Sequence, residues 1–398
     1  MLNIEDNADT KEPVPILRLG FRPLFLAGAS FSVFALLIWA GVLSQSWEFN
    51  PYGGSYWWHA HEMLFGFVST IIAGFLLTAV QSWTGVPGVK GYRLLFLVML
   101  WLSGRVVILF NVNLPSWCIA TIDVMFLLTT AFFLALSIIK VRQYRNLFFV
   151  PVLLLMSLSN VYMHMAIYLS DAQWLVIGSH GMVMLVMALM CVLGGRVFPM
   201  FTANGTKTSK VEPWPWLEKL SLLLVAVLVI VFMFVIPLSK TAIAVLFSLA
   251  AFAHLLRWLR WRFWVTFKTP LVWSLHSSYF CIPLGMGLFA FHFFGFSISF
   301  SLPMHVITVG AVGGMILSMI SRVSLGHTGR PIISDLMHTA AFVFILLSLL
   351  FRVSGSLLSD MQTALLIASV ICWCGAYGIF VVKYIPILTK PRVGGGPG

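Results

Sequence analysis

Two histidines one residue apart stand where a long apolar run begins: Trp58-His59-Ala60-His61-Glu62-Met63, followed by twenty almost uncharged residues to Trp83. Imidazoles beside lipid are costly unless they bind something, and two of them next to a carboxylate point to a metal or haem ligand set at a membrane face. Residues two apart on a helix point about 200° apart. His59 and His61 are therefore expected to serve two centres on opposite sides of one helix. The same count puts His59 with Glu62, and His61 with Phe65, on shared faces.

These residues need a scaffold, and composition supplies it. Sixty per cent of the 398 residues are hydrophobic and nine per cent are charged, where a soluble fold carries about a quarter charged. Runs of about 20 apolar residues span a bilayer as helices. Twelve are expected, at 22–44, 58–83, 92–110, 116–140, 146–170, 173–198, 217–237, 241–260, 271–295, 300–321, 332–352 and 362–388. The predicted organisation is an all-α membrane protein. Residues 1–21 form a cytoplasmic N-terminal segment without a cleavable signal, 22–390 one twelve-helix domain, and 391–398 a tail.

Basic residues set the orientation. With the N-terminus inside, 21 of the 24 Lys and Arg fall on inner segments, and Arg105, Lys240 and Arg352 are the exceptions. The net charge of +12 thus reads as an orientation signal and argues against nucleic-acid binding. An even number of spans puts both termini in the cytoplasm. The cysteines, Cys118, Cys191, Cys281, Cys372 and Cys374, form no convincing framework and are expected to pack.

The histidines then divide by depth. His254, His276, His327 and His338 belong to the inner half, whereas His59, His61, His164, His180, His292 and His305 belong to the outer half. The outer set occupies the second, fifth, sixth, ninth and tenth spans. His61 to Thr84 and His305 to Thr328 are each 23 residues, and His180 to Thr202 is 22. That spacing suggests a four-helix repeat, three units in a pseudo-threefold bundle. His59, His61 and His305 are the haem-ligand candidates, and His164, His180 and His292 are candidates for a second, copper centre. Asn160 shares a face with His164, and His180, Met184, Met187 and Cys191 form a soft-ligand stripe, although such stripes are more often packing. Gly66, Gly74, Gly285, Gly287, Gly310, Gly313 and Gly314 admit either a flat cofactor or close helix contact. Arg105 and Arg352 are candidate partners for haem propionates. Glu62 is a candidate proton donor or histidine-orienting group, against the plainer reading of a carboxylate favoured by a helix N-terminus. At the inner face, Arg22, Arg196, Arg322, His327 and Arg330 form a basic motif that either anchors the helices or receives an anion or redox partner.

Trp58-His59-Ala60-His61-Glu62-Met63-Leu64-Phe65-Gly66 with Ala73-Gly74-Phe75-Leu76-Leu77-Thr78-Ala79 resembles the NnrS family signature. So do His305 to Ala311, Ser321 to Pro331, the entry Gly20-Phe21-Arg22-Pro23-Leu24-Phe25, and the turn Gly194 to Pro199. The resemblance covers nearly the whole chain. It implies a bacterial inner-membrane protein carrying haem and copper and linked to nitric oxide. Without a Cys-x-x-Cys-His motif the haem would be b-type. The expected partners are nitric oxide, membrane lipid and an unidentified electron donor. The favoured activity is reduction of nitric oxide to nitrous oxide. The alternative is a non-enzymatic nitric oxide binder, sensor or metal-handling protein. A secondary transporter ranks last, because polar residues gather at the outer third rather than at midplane. In architecture alone the chain is also similar to haem–copper oxidases, but its seventh span has no His-His pair.

Overall fold

A computed structural model describes residues 12–395. Residues 1–11 of the expected N-terminal segment and 396–398 of the expected tail lie outside the described residues. Twelve long helices follow one another: α1 (Phe21–Leu43), α2 (Gly54–Thr84), α3 (Tyr92–Leu109), α4 (Ser116–Lys140), α5 (Phe149–Tyr168), α6 (Ala172–Thr206), α7 (Pro215–Met233), α8 (Lys240–Arg260), α9 (Pro270–Phe293), α10 (Ser301–His327), α11 (Leu336–Leu357) and α12 (Gln362–Leu388). Among the described residues there is no strand. Eleven of these helices are long and apolar enough to cross a membrane. The exception is α9, where Ser274, His276, Ser277 and Ser278 dilute the apolar run.

Burial separates the central helices from the peripheral ones. The most apolar stretches of α2 and α10 are 83% and 78% buried, against 28% for α1 and α11. The helix α6, at 61%, packs on both α2 and α10. Peripheral helices turn large apolar side chains outward, such as Phe252, Leu223 and Ile371, which is the surface a bilayer requires. The ring closes on itself, because α12 packs along α1 just as α4 packs on α5 and α8 on α9.

Both described ends of the chain lie at one end of the bundle. Gly91 N–H donates to Leu17 O, and Val393 N–H to Thr328 O. Arg22, fully buried, donates through Nη1 to Leu388 O and Lys390 O, each at 2.8 Å, so a guanidinium from the first helix caps orphan carbonyls at the end of the last. The start of the expected tail is therefore docked onto the bundle. The other end gathers the histidines and is called the histidine end below.

Two departures from the expected boundaries have physical causes. The expected turn Gly194 to Pro199 is helical, and α6 continues through Pro199 to Thr206. Neighbouring helices sustain a membrane helix past a proline that would end a soluble one. Second, α2 and α10 each contain a π-helical segment, Glu62–Val68 and Val306–Gly313, beginning directly after His61 and His305. A π-turn inserts one extra residue. This matches the 23-residue His-to-Thr spacing of α2 and α10 against 22 in α6, where no π-segment occurs.

Most of the selected glycines face neighbouring helices. A side chain at Gly310 would meet Cys281, at Gly313 Trp373, at Gly314 Ser278, at Gly285 Ile307, and at Gly74 Leu24. Close helix packing uses up this space. The five cysteines are free, and Cys191, Cys281 and Cys372 are buried, as packing residues should be.

Loss of the Arg22 clamp should loosen the closure of the ring. Hydrogen bonds from a charged donor contribute about 1.5–3 kcal/mol each, so losing the two to Leu388 O and Lys390 O in Arg22→Ala is expected to lower stability by about 3–6 kcal/mol. Thermal unfolding in detergent checks this. A variant as stable as the parent would show that α12 is held by apolar packing alone.

Candidate metal centre

The histidine end contains three separate polar clusters, and the first is the most completely buried. In α2, His61 and Glu62 have no solvent exposure. His61 Nδ1 lies 3.0 Å from Glu62 Oε1, and its Nε2 lies 2.9 Å from Asn160 Oδ1 and 3.0 Å from Asp123 Oδ2. Asn160 Nδ2 donates to Asp123 Oδ2 at 2.7 Å, and His164 Nε2 is 3.2 Å from the same oxygen. Arg105 in α3 donates through Nη1 to Glu62 Oε2 at 2.9 Å and through Nη2 to Asp123 Oδ1. Trp57 stacks on His61 with ring centroids 4.4 Å apart and planes 10° apart. Its indole N–H is held by Met163 O. Two glycines make room: a Cβ at Gly66 would come within 2.8 Å of both Arg105 and Glu62, and one at Gly104 within 2.9 Å of Asp123.

Donor counting defines what this cluster can hold. Both ring nitrogens of His61 face only oxygen acceptors, so a neutral ring, with a single N–H, leaves one contact unsatisfied. Arg105 offsets one of the two carboxylates, leaving one net negative charge. An extra proton or a bound cation completes the balance, and uncompensated buried charge is strongly disfavoured. Ligand atoms of His61, Asp123 and His164 all lie within 4.8 Å of one another. His164 Nδ1 is buried with no hydrogen-bond partner, a further buried nitrogen free to bind.

The second cluster lies on the opposite side of α2. His59 stacks on Trp39 of α1, centroids 4.3 Å apart and planes 11° apart, and its buried Nδ1 has no hydrogen-bond partner. His305 of α10 and Arg352 of α11 are within electrostatic reach of His59. His305 Nδ1 is 2.8 Å from Ser301 O and 3.0 Å from Arg352 Nη2, which also donates to Ser301 Oγ at 2.8 Å. Arg352 Nη2 also lies 3.4 Å from His305 Nε2, so the guanidinium flanks both ring nitrogens.

The third cluster joins α6 and α9. His180 stacks on Phe300 at 4.4 Å, and His292 approaches the same ring at 5.5 Å. His292 Nδ1 lies 2.6 Å from Ile298 O.

The expected divergence of His59 and His61 is therefore present. Glu62, however, was expected to share a face with His59 and instead lies against His61. Arg105 attracts the carboxylate to that side, and the π-segment that begins at Glu62 changes the angular step. Of the three expected copper ligands, His164 joins His61, whereas His180 and His292 meet around Phe300. Arg105 is committed to Glu62 and Asp123, and Arg352 to His305 and Ser301. At the other end, Arg196 lies over Phe149 (6.0 Å) and Arg322 over Phe201 (4.1 Å). His327 faces Phe21 at 5.6 Å, and Arg330 donates to Thr328 O. With the Arg22 clamp, each residue of the inner motif thus fastens helix ends or rings. Sequence reasoning gave no role to Asp123, Trp57, Trp39 or Ser301. The signal for Asp123 was available, since an acid within a span is a site candidate by default.

Residues 15–392 match the family model described as NnrS protein. No curated protein matches the chain.

The charge accounting predicts unequal effects within the first cluster. Arg105→Met leaves two buried carboxylates without a counter-charge and should destabilise by about 3–5 kcal/mol. Glu62→Gln keeps the Arg105–Asp123 pair and should cost clearly less. Thermal unfolding of the two variants checks this, and equal losses would contradict the accounting.

Proposed function

The chain belongs to the NnrS family, and from that premise we propose that it is a haem- and copper-containing membrane protein that reduces nitric oxide to nitrous oxide. The observation that carries this reading is the convergence of His61, Asp123 and His164 in a buried cluster whose charge calls for a proton or a metal cation. Two imidazoles and a carboxylate suit copper among other transition metals, and these three residues would hold it. His59 and His305 would hold a b-type haem. The unpartnered Nδ1 of His59 supports that choice.

When bound, the metals supply electron transfer and a coordination position for nitric oxide. Two nitric oxide molecules, two electrons and two protons give nitrous oxide and water, so an external electron donor is required. The chain's own residues position and insulate. Glu62 accepts from His61 Nδ1 and turns Nε2 toward Asp123. Arg105 holds both carboxylates in place, and Trp57 covers the ring of His61. Protons would arrive from the histidine end. The reading puts the protein in the bacterial inner membrane with both termini cytoplasmic, α9 as a twelfth span, residues 22–390 as one domain, and the inner arginines as anchors.

We also propose three units of four helices around α2, α6 and α10. Contacts α4–α5, α8–α9 and α12–α1 support it, as do two of the clusters, which bridge α2 to α5 and α6 to α9. Arg196-Val197 and Arg322-Val323 each begin six residues before Thr202 and Thr328, a further correspondence between units.

A specific observation favours the second reading, a nitric oxide binder without turnover. Glu62 is fully enclosed and ion-paired, and so is poorly placed to pass protons from water. Nitrous oxide formation by purified, metal-loaded protein with a chemical reductant decides between the two. Under the first reading nitrous oxide accumulates, and Glu62→Gln slows it while both metals remain. Stoichiometric nitric oxide uptake without nitrous oxide makes the protein a binder. His164→Ala should lose copper and keep the haem spectrum, whereas His59→Ala or His305→Ala should perturb the haem spectrum. Unchanged metal content in all three would remove the assignment.

A further inference from the structure

The three central helices do not close completely on one another. Between α2, α6 and α10, with Phe25 of α1 as one wall, lies a partly open cavity of about 60 Å³. Its walls include Ile71, Leu189, Met190, Met315 and Met319, and no polar atom faces into it. It begins ten residues beyond His61, six beyond His180 and ten beyond His305, which is about 15, 9 and 15 Å of helix rise. The cavity thus lies beyond the three histidines along α2, α6 and α10, and residues of all three helices line it.

Water gains nothing there. A buried water needs two to four polar partners, and apolar cavities of protein interiors stay dry while accepting apolar guests. A void in close-packed surroundings also forfeits dispersion contacts that a guest restores. Three methionines in the wall, Met190, Met315 and Met319, are flexible and polarisable and adapt to a small guest. The absence of polar atoms in the lining excludes ions.

We propose that this cavity is a binding site for small, uncharged, apolar gas molecules, of the size of a diatomic. Such molecules partition into the bilayer, and the cavity concentrates them between α2, α6 and α10. The assignment of nitric oxide as its natural occupant rests on the function proposed above. Occupancy by an apolar gas as such does not.

The test therefore uses xenon, which needs no metal and no reductant. Full-length protein in detergent is titrated with xenon and followed by ¹²⁹Xe NMR. Saturable binding in exchange with free xenon is expected. Ile316→Trp should abolish it by filling the cavity, and Ile71→Ala should enlarge the cavity and strengthen it. Thermal unfolding confirms that each variant is folded, and if the tryptophan variant is not, the alanine variant alone decides. Absence of saturable xenon binding in the folded parent overturns the proposal, as does binding that neither folded variant changes. A positive xenon result together with no nitric oxide chemistry would leave the gas site standing and remove only the proposed function.

Discussion

The structure depends on how a membrane bundle accommodates three charges that it cannot expose. Glu62, Asp123 and Arg105 are all enclosed, in a region where isolated charges are among the most expensive groups a fold can bury. Their mutual pairing ties α2, α3 and α4 together, and Asn160 and His164 attach α5 to the same centre. One net negative charge remains. That residue of charge gives a structural network its chemical meaning, because it makes room for a proton or a metal at His61. Gly66 and Gly104 belong to the same arrangement, since any larger residue would displace the guanidinium or the carboxylate.

The two sides of α2 do different things with the same residue type. His61 is held by charged partners and lies under Trp57. His59 lies under Trp39 with an unsatisfied nitrogen, near an arginine rather than a carboxylate. A His-x-His pair on one helix thus reaches two electrostatically opposite environments. The π-segments that follow His61 and His305 shift the angular relation between each histidine and the helix beyond it. Such wide turns cost backbone regularity and are frequent at functional sites, and here both stand at the histidine end of a central helix.

The opposite end of the bundle is a fastening. Arg22, Arg322 and His327 spend their polar groups or ring faces on carbonyls and aromatic rings of neighbouring helices. A further buried network, with Arg257 paired to Glu218 and hydrogen-bonded to Tyr279 and Cys191 O, does the same for α6 to α9. Positive charge at this end therefore contributes to cohesion.

Much of this protein was determined by sequence alone. Helix number, order and approximate limits follow from runs of apolar residues, because a bilayer admits few other ways to satisfy a backbone. The depth of the histidines follows from those limits, and the divergence of His59 from His61 follows from 3.6 residues per turn. The tertiary structure decided which helices meet. It brought Asp123, from a span with no other acid, between His61 and His164, and parted His164 from His180 and His292. It moved Glu62 from the expected side of α2 to the other, and filled the glycine gaps with neighbouring side chains. The physical reason is one of range. Periodicity acts along a helix and is legible locally. Charge balance and packing act between helices some forty to a hundred residues apart in the chain, and no spacing within one segment encodes them.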